Sequence, residues 1–181
     1  MEEMEVPMDH LHEKINEEAE AEKERWILYV ALSTAFVAVL AAIAGLLGGH
    51  HVNEALIDQI RSSDQWSFYQ AKAIKSDITS SADHILQSLS TRPVPEQDQQ
   101  KVARYEKEKQ EIRNKAEEYE RSSEMHLKRH VTLAKSVTLF QIAIAIAAVS
   151  IITKKRLLWV GSLLMAAIGL IFLILGMISI V

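Results

Sequence analysis

The chain has no cysteine, which excludes disulfides, thiol catalysis and cysteine-ligated metals and leaves the redox compartment unread. It also lacks the signatures of the common enzyme classes. There is no glycine-rich phosphate loop, no H-E-x-x-H, and no Ser-His-acid set that spacing would single out. The most telling absence is local: residues 26–49, 136–153 and 157–181 contain no Asp, Glu, Lys or Arg. These runs are 24, 18 and 25 residues long. A helix needs about 20 apolar residues to cross the hydrocarbon core of a bilayer, so each can span, the middle one with little to spare. Lipid cannot hydrogen-bond a backbone, which makes helices the expected form.

The expected class is an all-α membrane protein with three transmembrane helices. Its segments are an acidic tail at 1–25, spans at 26–49, 131–153 and 157–181, an extramembrane insert at 50–130, and a basic turn at 154–156. The first run is too long, and its leader too acidic, for a cleaved signal peptide, so it is expected to stay as an anchor. Because the uncharged runs hold no acidic or basic residue, ion-coupled pumping is not expected. Ser33, Thr34, Gln141, Ser150 and Ser162 are among their few polar residues, and helix–helix hydrogen bonds account for such polarity.

Charge is uneven along the chain. Residues 1–25 carry ten acids against three bases, and residues 50–130 carry fourteen against thirteen. An acidic tail and a near-neutral insert argue against nucleic acid, which calls for a basic patch. Lys154, Lys155 and Arg156 form a short basic turn, which the positive-inside rule retains in the cytoplasm. The tail then also lies in the cytoplasm and the insert on the opposite side. Lys128, Arg129 and Lys135 pull the other way, and the insert exceeds the loop length at which the rule is strong.

Within the insert, Asn53-Glu54 has the form of a helix N-cap with an acid in the first turn, unless the helix simply continues from the first span. Ile57, Ile60, Phe68, Ala71, Ile74, Ile78, Ala82, Ile85 and Leu89 recur at threes and fours, the pattern of one apolar helical stripe. Ile60, Ala71 and Ala82 repeat at eleven, suggesting a straight or slightly right-handed seam. A break is expected near 91–95, where Pro93 and Pro95 stand, and Pro95 suits the first position of a new helix. The return helix has a heptad-like seam of Val102, Tyr105, Ile112, Ala116, Tyr119 and His126, with Lys109 and Ser123 as polar interruptions. Segments 54–90 and 96–130 would each be roughly 50–55 Å long. Matched lengths around one turn predict a long antiparallel, coiled-coil-like helical hairpin.

Two helices cannot close a core around so thin a seam, and narrow stripes are what coiled coils use. Ala31/Ala35, Ala38/Ala42, Ala41/Gly45, Ala44/Gly48 and Ala143/Ala147 add small residues four apart, which let helices approach in lipid. Homo-oligomerisation is the expectation, with Ile60, Ile74, Ile78, Tyr105, Ile112 and Tyr119 as hairpin or oligomer seam positions. Trp66, Phe68 and Tyr69 are candidates for contact with a protein partner of unspecified identity, or for packing the hairpin.

Histidines form the remaining constellation. A hairpin would bring His126 and His130 back to the level of His50 and His51. The i,i+4 pair can share one metal ion, zinc or another divalent cation, with Glu54 and Glu124 near. Interfacial histidines at a wet bilayer edge explain the same pattern without metal, and imidazole titration would make it a pH sensor. Met1, Met4, Met8, His10 and His12 read as an acidic leader rather than as soft-metal ligands. No cofactor is otherwise expected.

Three stretches carry a family resemblance: AAIAGLLGG closing the first run, QWSFYQAKAIK at 65–75, and TLFQIAIAIAAVSIITKKRLLWVGSLLMAAIGLIF at 138–172. From about residue 20 onward the chain resembles a family of small bacterial membrane proteins known as a domain of unknown function. The resemblance implies a bacterial cytoplasmic-membrane location and carries no catalytic residues. The expected role is a non-enzymatic scaffold at the envelope. The alternative is an oligomeric channel or sensor gated by ions, pH or tension.

Overall fold

The computed structural model describes residues 8–89 and 96–178, with side chains from residue 14 on except 19, 21 and 96–99. Among these residues all regular structure is helical: α1 spans Met8–Leu89, α2 Glu96–Thr153 and α3 Arg156–Ile178, with no strand. Each helix holds a stretch long and apolar enough to cross a membrane. The turn near 91–95 and the residues Met1 and Met4 lie outside the described residues, as do the side chains of Met8, His10 and His12.

α1 runs through Asn53 without a break, so Asn53 caps no helix and Glu54 sits in the middle of one. Nothing there stops it: the nearest proline downstream is Pro93. α2 ends at Thr153 and α3 begins at Arg156, so the basic turn is Lys154-Lys155 and Arg156 is already helical. Lys154 has φ 54°, the left-handed conformation that ends many helices. Its N–H reaches the Ile151 carbonyl at 3.3 Å, satisfying one acceptor of the last turn of α2.

The chain divides into two compact units. The first contains α1 up to Gly48, α2 from Val131, and α3. Its core is Val37, Ala44, Leu133, Phe140, Ala143 and Leu173, and a second cluster gathers Trp26, Val30 and Ala147. Close approach of α2 and α3 rests on glycine. A Cβ at Gly169 would lie 2.9 Å from the Phe140 ring, and one at Gly176 would lie 2.7 Å from Leu133 Cδ2. Between them, buried Ser136 donates its hydroxyl to the Gly169 carbonyl at 2.8 Å. Of the small pairs singled out by spacing, Ala44/Gly48 and Ala143/Ala147 are buried, while Ala31, Ala35, Ala38 and Ala42 face outward. Ser162, Gly169 and Gly176, all buried on α3, form a further small-residue series spaced at seven rather than four.

The second unit contains α1 from Gly49 and α2 up to His130. The two segments run antiparallel, since their contacts descend in α2 as they ascend in α1. Ser123 Oγ donates to the Ala55 carbonyl at 2.8 Å, Ser122 Oγ to the Asp58 carboxylate at 2.6 Å, and Ser62 Oγ to the Ala116 carbonyl at 3.1 Å. Further along, Lys72 pairs with Glu108, and Ser76 Oγ donates to Glu106 at 2.9 Å.

Candidate functional site

The face that α1 turns to α2 in the second unit is polar and small. Ala55, Asp58, Ser62 and Ser76 are buried, and His51, Gln65, Tyr69, Lys72, Thr79 and Asp83 are half-buried. These positions advance by alternating threes and fours, a strict heptad. On α2, Ala116 and Ser123 are buried and Val102, Tyr105, Lys109, Ile112, Tyr119 and His126 half-buried, with the same spacing. Small side chains let the backbones approach closely enough for serine hydroxyls to reach carbonyls across the seam.

This corrects the placement of the α1 stripe. Ile60, Ile74 and Ile78 are not between the two helices: they are 54, 58 and 64% exposed. The eleven-residue spacing belongs to that outer face, which also holds residues seven apart, whereas the buried face repeats strictly at seven. The physical reason is that an apolar period shows where an apolar surface lies, not which partner covers it. Here polar side chains are satisfied by backbone carbonyls and carboxylates across the pair, which offsets the penalty for burying them.

Aromatic rings and cations bind the seam further. The Arg61 guanidinium lies 5.8 Å from the Tyr119 ring centroid, Lys72 Nζ 5.3 Å from Tyr105, and Lys109 Nζ 5.7 Å from Tyr69. All are within the roughly 6 Å reach of a cation–π contact. Trp66 packs edge-on against Tyr69, with centroids 5.6 Å apart. Of the three aromatics proposed for a partner, Tyr69 therefore belongs to the seam, Trp66 leans on it, and Phe68 faces outward at 60% exposure. Glu108 is held below the usual carboxylate range by its hydrogen bonds from Lys72 and Arg104. Glu106 is lowered likewise by Lys109 and Ser76.

The histidines meet in part. His51 Nδ1 lies 3.0 Å from His126 Nδ1, and the His50 and His51 ring centroids are 5.5 Å apart. His130 is half-buried nearby in sequence but adds no third ligand. Among the described residues no group of three His, Asp or Glu side chains could hold a metal ion. The His51 imidazole is pushed below its ordinary value, first by burial, then by His126, Arg129 and His50, with Glu54 opposing.

In the first unit, one end gathers a different set of groups. Glu22, Arg25, Trp26, Tyr29, Arg156 and Trp159 line a cavity of about 490 Å³. Arg156 donates to Glu22 at 3.1 Å, and the Trp159 indole N–H donates to Ser33 Oγ at 3.2 Å. Trp26 is 7% exposed, and its indole nitrogen is buried without a hydrogen-bond partner. Spacing could not find this cavity, because its residues come from helix segments more than a hundred positions apart. The available signal was the tryptophans flanking two uncharged runs, as in the aromatic belts of membrane proteins.

The family profile described as "Domain of unknown function (DUF4337)" matches residues 26–179. The chain belongs to the DUF4337 family. The match takes in both units, including all of α3 and the two segments of the polar seam. No curated protein matches the chain, and no solved structure does. Any functional reading of this DUF4337 member therefore starts from its own side chains.

Proposed function

We propose that this DUF4337 protein is a non-enzymatic, three-span protein of the bacterial cytoplasmic membrane that assembles with copies of itself. Its role would be that of a structural or interaction scaffold, with residues 50–130 forming a coiled-coil-like hairpin. The observation that carries this reading is the outer face of α1. Leu56, Ile60, Ile74, Ile78, Ile85 and Leu89 are all exposed, although they lie beyond the uncharged run. Ile60, Ser67 and Ile74 form one column seven apart, and Ala71, Ile78 and Ile85 form another. A second apolar seam on a helix whose first seam is already used suits a second copy of that helix.

Gln141 supports assembly through the spans as well. It lies within the uncharged run 136–153, yet it is exposed on α2. An amide facing hydrocarbon costs several kcal/mol unless it is hydrogen-bonded (about 4–8 for water to cyclohexane), and a neighbouring copy offers the partner. The contact between Glu22 and Arg156 supports a shared side for the acidic tail and the basic turn. The positive-inside rule then favours the cytoplasm for both and the opposite side for the hairpin.

The test is the mass and shape of the full chain in nanodiscs, by native mass spectrometry with single-particle imaging. A discrete symmetric oligomer is expected. A stable monomer would remove the scaffold reading and leave Phe68 and the isoleucine face for a different protein. The His51–His126 pair favours a second reading, a pH-gated sensor or channel. Ion flux in liposomes that depends on those histidines or on Gln141 would favour it over the scaffold.

A further inference from the structure

The cavity of the first unit joins chemistry that neither the seam nor the spans use. Three aromatic side chains, Trp26, Tyr29 and Trp159, wall it together with two guanidiniums, Arg25 and Arg156, and one carboxylate, Glu22. Tyr29 and Arg25 are exposed, so the cavity opens to the outside of the unit. Arginine matches a phosphate group with paired N–H donors, and Arg156 is also the first residue of α3, where helix N–H groups favour an anion. The Trp26 indole nitrogen has essentially no accessible surface, so the ring lines the cavity as an apolar wall and its N–H offers no donor to a bound group.

We propose that this cavity binds the phosphate-bearing headgroup of an anionic phospholipid, with Arg25 and Arg156 taking the phosphate and the rings flanking the upper acyl chain. The inference rests on the membrane reading above. Trp and Tyr concentrate at the headgroup level of bilayers, and basic pockets between spans on the cytoplasmic side suit anionic headgroups. Trp26 and Arg156 stand at the boundaries of two uncharged runs, so the cavity falls at that level. Lys154 and Lys155, both exposed in the adjoining turn, add positive charge. Glu22 opposes binding at Arg156: its exposed ion pair with Arg156 is weak, and it competes with the phosphate for that guanidinium.

This competition makes the test specific. The full chain is purified in detergent and titrated with phosphatidylglycerol or with phosphatidylcholine of identical acyl chains, with retained lipid counted by native mass spectrometry. Both lipids offer a phosphate, but the two guanidiniums repel the choline cation. Phosphatidylglycerol should therefore be retained preferentially, with each of R25Q and R156Q reducing the preference by about fivefold, the worth of one basic residue near a membrane surface. E22Q should strengthen retention, which a merely structural role for Glu22 would not do. Equal retention of the two lipids, or a preference that survives in the R25Q/R156Q double variant, would overturn the proposal. Displacement of the lipid by millimolar inorganic phosphate would reassign the cavity to a soluble anion and overturn the lipid.

A second readout guards against a variant that misfolds. In a W66F background, Trp26 and Trp159 are the remaining tryptophans, and brominated phosphatidylglycerol should quench them more than brominated phosphatidylcholine. No difference in quenching would count against the site. Alkaline extraction of membranes separates membrane insertion from lipid binding: release of the chain overturns the membrane reading and this one together. Retention in the membrane without lipid preference overturns this one alone.

Discussion

The Nδ1 atoms of His51 and His126 are 3.0 Å apart, a distance at which one ring donates and the other accepts. The His51 imidazole is held below its ordinary value first by burial, then by His126, Arg129 and His50, with Glu54 opposing.

A pH dependence with a definite sign follows. Because the folded imidazole of His51 sits below its ordinary value, the folded state binds fewer protons than the unfolded chain. The contribution to stability is therefore fully present above about pH 6.5, the unfolded value, and is lost as pH falls through the lower folded value. Hydrogen exchange over residues 49–130 should show weaker protection near pH 5 than at pH 7.5. His126→Gln should reduce that difference without abolishing it, because burial is the larger cause; an unchanged slope would show that the pair adds nothing to it.

Gly176→Ala should loosen the contact of α2 with α3. The new methyl group would meet Leu133 Cδ2 at 2.7 Å and Cγ at 2.8 Å. Leu133 is fully buried and has no solvent into which to swing, so a loss of about 1–3 kcal/mol is expected, as for overpacking. Gly161→Ala is the matched control, with nothing within 4 Å of its Cβ. It should leave the melting temperature in detergent unchanged or slightly raised, since alanine favours a helix by about 1 kcal/mol.

Ala116 is fully buried and its carbonyl accepts the Ser62 hydroxyl. Ala116→Leu should force the helices of the second unit apart and cost about 1–3 kcal/mol. Ser62→Ala keeps the spacing and removes one hydrogen bond, worth about 1 kcal/mol. Unfolding in denaturant should rank the two in that order. The reverse order would mean that hydrogen bonds, not close approach, set the stability of the seam.

Ile78→Asp and Ile112→Asp should part company. Ile78 is exposed and Ile112 half-buried in the seam. The first should abolish chemical crosslinks between copies while exchange protection over 49–130 persists, whereas the second should lose both. On the proposed assembly, Gln141→Leu should weaken crosslinking through the uncharged runs by about 1–2 kcal/mol, the worth of a polar contact between helices in lipid. Crosslinks unchanged in both Ile78→Asp and Gln141→Leu would remove the argument for assembly.

Much of the helical order was legible because its causes are local. Long runs without charge demand a helix wherever water is absent, and the stretch with Pro93 and Pro95 separates α1 from α2. On α2 the inner face is visible in the spacing of Val102, Tyr105, Ile112 and Tyr119, because it carries apolar bodies between charged neighbours. The inner face of α1 is hidden for the opposite reason. Ala55, Asp58, Ser62 and Ser76 look like surface residues until Ala116, Ser122, Ser123 and Glu106 stand across from them.

The sequence by itself determined which segments are helical, where the uncharged runs lie and which residues form apolar stripes, since each depends on neighbours within a few turns. Only the tertiary structure decided which stripe is covered. It put serines inside and Ile60, Ile74 and Ile78 outside, paired His51 with His126, and gathered Arg25, Trp26, Arg156 and Trp159 around one cavity. Such partnerships join residues tens of positions apart or more, and a side chain's polarity says what it needs without saying which distant group supplies it.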